Sequence, residues 1–227
     1  MGMYVDYFKR VMAHKKLVFK KCWKKGLKKQ AIMHDMSKFL PSEFVPYAKW
    51  FNGPHGVKIT DIVDKLNDDI QKEYQMNKRN FEAAVQKHYK RNKHHWNHWA
   101  TSELIFEPIP QKYLDELLCD WESVGVRHGN SAQEYYLRNY HQIIMRKENR
   151  WRLEMTLGFR KPEDIEWDPL FKLTIDELFI FMSTRGTGST EEEVDRMLNH
   201  KFRHINERYG FNFMEVFHES YDKMKNQ

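Results

Sequence analysis

Cysteine is nearly absent: Cys22 and Cys119 are the only two in 227 residues and lie far apart in the sequence. That excludes a disulfide framework and favours a reducing, cytoplasmic setting. No signal-peptide pattern and no membrane-spanning apolar run is visible, so no membrane partner is expected. Ten glycines and seven prolines leave long stretches without a breaker. Period-two runs rich in Val, Ile and Thr are scarce, which argues against a sheet. The Gly186 and Gly188 loop lacks the Gly-Lys-Ser/Thr ending of a phosphate loop, so nucleotide binding is not expected there. Finally, no acidic residue occurs between Lys9 and Lys29.

What is present is apolar and basic. Hydrophobic residues make up 41% and aromatics 15%, enough for a substantial core in one domain or one domain with an appendage. The fold class expected is all-α. The formal charge is +6 and the isoelectric point about 9.1. Much of the excess lies in one segment: Lys9, Arg10, Lys15, Lys16, Lys20, Lys21, Lys24, Lys25, Lys28 and Lys29. Two readings stand side by side. Lysines are ordinary exposed helix formers, and a solvated face needs no partner. The same face can also be an electrostatic funnel for a phosphorylated substrate or a nucleic acid.

The apolar spacing predicts a helix from Tyr4 to Lys25 carrying His14 and stopped by Gly26. A short helix from Leu27 to His34 follows, with Asp35 near its end, and Pro41 opens a third that runs towards Phe51. Asn52-Gly53-Pro54-His55-Gly56 is a loop. Thr60 to Lys78 reads as an amphipathic helix, and residues 52–80 as an inserted lid or interaction element. A further helix spans Phe81 to Trp99, or breaks near Asn92. Tyr113 to Val124 is a helix stopped by Gly125, and Ala132 to Met155 reads as one long helix. Leu173 to Met182 is another candidate helix. Ser189 or Thr190 caps a helix opening with three glutamates. Glu191 to Lys225 forms one or two helices interrupted around Gly210.

The chemistry concentrates in histidines and aspartates. His34 and Asp35 are adjacent, a pairing that cannot share a helix face in mid-helix but can converge on one ion at a helix end. His88, His94, His95 and His98 fall within eleven residues. On an unbroken helix His88 and His95 share one face and His94 and His98 another, so the four cannot hold a single ion. A mixed set of imidazoles and carboxylates suits Mn, Fe, Co, Zn or Mg better than a purely structural zinc. Arg91 and Lys93 flank the cluster and either hold a phosphate or face solvent. Glu43 is either a base behind the ligands or an acid at a helix start. Trp96, Trp99 and Trp121 fit the core better than a stacking site. His200 and His204 lack the intervening acid of a zinc protease.

The order His14, His34-Asp35, Asp120 resembles that of the HD-domain superfamily of metal-dependent phosphohydrolases. His34-Asp35-Met36-Ser37-Lys38 is similar to the superfamily's His-Asp-x-Gly-Lys form, with Ser37 in place of glycine. The twenty positions from His14 to His34 are fewer than in many of its members. The segments His34 to Phe39 and Asn92 to Trp99 also resemble a family of small uncharacterised bacterial and phage proteins, over about residues 3–150. The resemblance implies an HD-type helical bundle, residues 1–150, with a C-terminal helical extension, 151–227. It implies one divalent ion on His14, His34, Asp35 and Asp120. A second would sit on His88 with His94 or His95, bridged by Asp35. Lys38 would face the substrate phosphate.

The function expected is therefore metal-dependent hydrolysis of a nucleotide or phosphodiester. Asp35, Lys38 and Glu43 are the catalytic candidates, and Lys38, Arg91 and Lys93 the substrate contacts. Two rivals remain open: a di-iron HD-type oxygenase, and a nucleic-acid or protein binding module that retains the fold. A homodimer is compatible with all three.

Overall fold

The computed structural model of the chain describes residues 2–100, 106–159 and 190–226. It is all-α, with no strand among the described residues. No helix there is long and apolar enough to cross a membrane. The chain divides into two compact units, residues 1–101 with 110–123, and residues 102–109 with 124–227.

In the first unit, α1 (Met3–Lys24) ends before Gly26, whose φ of +76° closes the helix in the left-handed region. After α2 (Lys28–Met33) and a 3-10 turn (Met36–Phe39), α3 (Pro41–Asn52) starts with proline at its first position, where no intrahelical donor is lost. Tyr7 and Val11 of α1 pack with Tyr47 and Ala48 of α3 and with Ala84 of α4 (Asp68–Arg91). A second cluster joins Val18, Cys22 and Ala31 to Cys119 of α5 (Gln111–His128). The two cysteines, remote in sequence, are thus buried neighbours and both free.

Three expected boundaries move. The helix read over 60–78 and the one read from Phe81 are one helix, α4, which ends at the break expected near Asn92; 3-10 turns flank it at Val57–Lys65 and Trp96–Trp99. Asn67 is its N-cap, accepting from the Ile70 amide at 3.0 Å, with Asp68 and Asp69 in the favourable first turn. At the other end, the Asn92 side-chain amide donates to the His88 carbonyl at 2.8 Å and closes the last turn. Val63 sits with Trp50 and Tyr74 in a small cluster.

Gly125 does not stop α5, which runs on to His128. A Cβ on Gly125 would lie 2.2 Å from the Asn130 carbonyl oxygen, so this glycine admits a close backbone approach. Gly129, with φ +74°, makes the turn.

In the second unit, the helix expected over 132–155 is broken into α6 (Ala132–Arg138) and α7 (Lys147–Leu157), with a 3-10 turn at Tyr140–Gln142 between them. Asn139 donates its side-chain amide to the Tyr135 carbonyl at 2.8 Å, and Arg150 lies 4.1 Å from the Tyr140 ring centroid while donating to the Ile143 carbonyl at 2.5 Å. These polar contacts replace the helical ladder in the gap. α8 (Glu191–Tyr209) begins with the expected capping box, Thr190 with Glu193, and α9 (Phe213–Lys225) follows Gly210. Phe202 and Phe213 stack at 3.9 Å within this core. The readings at 173–182 and 184–189 lie outside the described residues.

Candidate metal centre

The centre is built where α2 ends. His34 closes α2 with extended backbone, and Asp35 follows at φ 55°, ψ 21°, the only described non-glycine residue with positive φ. Such a conformation is costly for an aspartate and marks a position held by its surroundings. Its effect is to turn two adjacent side chains towards each other, with His34 Nε2 3.5 Å from Asp35 Oδ2.

Two donor sets meet at Asp35. On the Oδ2 side, His14 from α1, His34 and Asp120 from α5 present donor atoms all within 4.8 Å of one another. His14 Nε2 is 2.9 Å from Asp120 Oδ1 and 3.9 Å from Asp35 Oδ2. On the other side, Asp35, His88, His94 and His95 form a second set within the same limit. His88 Nε2 and His94 Nε2 lie 3.2 and 3.5 Å from Asp35 Oδ1, and His95 Nε2 is 2.9 Å from His88 Nε2. Both His94 and His95 therefore join His88, whereas the unbroken-helix reading allowed only a pair. The helix ends at Arg91, and the irregular turn after Asn92 carries both imidazoles back over the last turn of α4.

Behind the donors stands a layer of carboxylates. Glu116 Oε1 accepts from His34 Nδ1 at 3.1 Å and lies 3.3 Å from His94 Nδ1, so it touches one imidazole of each set. His34, His94 and Glu116 also present donor atoms within 4.8 Å of one another, but these Nδ1 contacts identify Glu116 as the acceptor that orients both rings. Glu43, fully buried, does the same for His88 Nδ1 at 2.9 Å, and is itself held by Arg91 at 2.7 Å and the Ser37 hydroxyl at 2.9 Å. The Lys15 ammonium donates to the carbonyls of Ile32 and His34, both at 2.7 Å, tying the end of α2 to α1. Sequence reasoning missed Glu116. The available signal was its place one turn before Asp120, an acid on the otherwise apolar face that includes Leu117 and Trp121.

Protonation follows from burial set against charge. Burial would raise Asp35, but His34, Lys38 and the His88 hydrogen bond outweigh it and hold the carboxyl well below its ordinary value. Asp120 and Glu116 are likewise held down by the imidazoles against the effect of burial. Burial lowers His34 and lowers His95 further, the latter with help from His94 and His88. His88 moves up, because its bonds to Asp35 and Glu43 outweigh burial. Lys38, 2.6 Å from Asp35 Oδ2, is raised by the Asp35 and Asp120 charges despite its burial. Ionised carboxylates beside neutral His34 and His95 are the state that ligation needs.

The donor set fits a divalent cation on a further ground. His34 Nε2 and His94 Nε2 are buried without a hydrogen-bond partner, and each lies 3.5 Å from an oxygen of the Asp35 carboxylate. Buried polar atoms left so are expensive unless something positive satisfies them.

Arg91 is committed to Glu43 and Ser42. Lys93 lies 5.9 Å from the Tyr113 ring centroid. Both line a cavity of about 330 Å³ that touches His94 and Glu116 from outside. His98 bonds the Lys90 carbonyl, away from the donors. His204, in the second unit, bonds the Lys201 and Gly158 carbonyls, and His200 is exposed.

No curated protein and no solved structure matches the chain. One family model does, over residues 3–158, which include every residue of both donor sets, and the chain therefore belongs to that family, a family of unknown function (DUF5662).

Proposed function

We propose that this chain is a metal-dependent phosphohydrolase acting on a nucleotide or a phosphodiester, with the HD-type ligand arrangement inferred from its sequence. The observation that carries the reading is Asp35, whose Oδ2 lies 3.9 and 3.5 Å from His14 and His34 and whose Oδ1 lies 3.2 and 3.5 Å from His88 and His94, from a backbone position of positive φ. One ion would be held by His14, His34, Asp35 and Asp120, and a second by Asp35, His88, His94 and His95. Bound there, divalent cations supply a water of lowered pKa and polarise a phosphoryl oxygen.

The chain's own residues supply the rest. Lys38 stays protonated beside Asp35 and offers a positive charge to an incoming phosphate. Glu116 and Glu43 keep the Nδ1 protons of His34, His94 and His88 on the outer side, leaving Nε2 free to ligate. Glu43 is thus a positioning residue, and Arg91 and Ser37 hold it in turn.

The test joins metal content to activity. Purified wild type and Asp35→Ala are compared by elemental mass spectrometry, and both are assayed on bis(p-nitrophenyl) phosphate with added Mn or Mg. Near-stoichiometric metal and hydrolysis, both lost in Asp35→Ala, support the reading. No metal in wild type and no binding on addition would sink it. Iron with an oxygen-dependent optical change would replace it with an oxygenase.

A further inference from the structure

We infer that the outer face of α1 and α2 is a binding surface for single-stranded nucleic acid, in which exposed aromatic rings stack on bases and unpaired lysines track the phosphates.

Lys16, Lys20 and Lys24 recur every fourth residue along α1 and are exposed. With Lys29 of α2, they make no ion pair among the described residues. Like charges at this spacing repel, and an ordinary solvated helix relieves that repulsion with interleaved glutamates. Here there are none, since no acidic residue occurs between Tyr7 and His34. Lys21 and Lys25 do find a carboxylate, Glu122 of α5, at 3.1 and 3.7 Å, and Lys15 is spent on backbone carbonyls. The uncompensated lysines are therefore those of the outer face.

Beside them, Phe19 and Trp23 are 38% and 47% exposed, and their rings stack on each other at 5.2 Å and 24°. Lys28 lies 5.7 Å from the Trp23 ring centroid. Cations alone would serve any polyanion, including a duplex or an anionic membrane. Flat rings held open among them favour unpaired bases, whose faces are available to stack.

The track continues past Trp23. Lys29, next to Lys28 on α2, lines the 330 Å³ cavity together with Arg91, Lys93, Lys112 and Tyr113. Lys93 and Lys112 lie 5.9 and 5.1 Å from the Tyr113 ring centroid, repeating the pairing of ring and ammonium. This cavity adjoins His94 and Glu116, so a strand on α1 and α2 leads towards the candidate centre. That the bound strand is also the substrate rests on the hydrolase reading; the binding surface does not.

The experiment uses the full chain as purified and a fluorescein-labelled oligothymidylate, with affinity read by anisotropy across a salt series and strand integrity read on a gel in parallel. Binding is expected to weaken steeply with salt. The triple variant K16E/K20E/K24E should lose at least about tenfold. Trp23→Ala should lose about tenfold for the single strand and leave affinity for a duplex of equal length unchanged. Because these side chains are exposed, circular dichroism should show both variants folded. Binding that persists in Asp35→Ala supports the surface separately from the hydrolase, whereas an intact bound strand with every metal added counts against the hydrolase alone. Absence of binding overturns the inference. Equal affinity for single strand and duplex with no effect of Trp23→Ala also overturns it. So does capture of phosphatidylglycerol vesicles in place of the oligonucleotide.

Discussion

Glu116→Gln is the substitution that best separates a metal centre from a merely polar core. Oε1 of Glu116 faces Nδ1 of His34 at 3.1 Å and of His94 at 3.3 Å, and the two imidazoles belong to different donor sets. Gln preserves the shape. With its amide oxygen in place of Oε1, both ring N–H groups keep an acceptor that has lost its charge, and charge-assisted bonds are about twice as strong as neutral ones. With the amide nitrogen there instead, an Nδ1 must accept, and the ring proton moves to Nε2, the atom proposed to ligate. Removing an outer carboxylate of this kind lowers metal affinity by about 10- to 100-fold, or roughly 1.4–2.7 kcal/mol. Because Glu116 serves both sets, both affinities should fall together, whereas His14→Ala should weaken mainly the first. Calorimetric titration of Mn into metal-stripped protein reads the two sites. The reasoning is refuted if Glu116→Gln, folded by circular dichroism, keeps both affinities within about threefold of wild type.

Chelation offers a second check. If ions occupy the centre, EDTA should lower the unfolding midpoint of wild type and not of Asp35→Ala, since a ligand at 100 times its Kd contributes about 2.7 kcal/mol. Gly125→Ala should be destabilising by about 1–3 kcal/mol through the clash with the Asn130 carbonyl. Thermal unfolding measures it, and an unchanged midpoint would mean that the turn at Gly129 relaxes. Thr190→Ala removes the capping box of α8 and should cost about 1 kcal/mol in denaturant unfolding, with Thr190→Ser restoring most of it.

How much was legible can be followed residue by residue. The first helix, its stop at Gly26, a cap at Ser189 or Thr190 and the break around Gly210 were all readable, because caps and apolar periodicity act within a turn or two of the chain. The candidate donors were readable too, as a run of residue types: His14, His34-Asp35, a cluster of four histidines of which His88, His94 and His95 face Asp35, and Asp120. The convergence of His94 and His95 was not: a break near Asn92 was one of two readings, but the path of the chain beyond it, which brings both rings to Asp35, depends on tertiary contacts. The break between α6 and α7 escaped for the same kind of reason: Arg150 reaches across to the Tyr140 ring and the Ile143 carbonyl from beyond the gap.

By itself, then, the sequence determined the class of fold, most helix ends and the inventory of groups able to hold a metal, all of them consequences of short-range stereochemistry and composition. Only the tertiary structure decided which groups meet. Packing of α1 and α5 against the end of α2 brings His14 and Asp120 to His34 and Asp35, lays Cys22 against Cys119, and sets Glu116 between two rings. The physical reason is that a buried imidazole or carboxylate takes its protonation and direction from partners remote in the chain, as Glu116 does from His34, 82 residues away, and only burial strengthens those contacts enough to fix them.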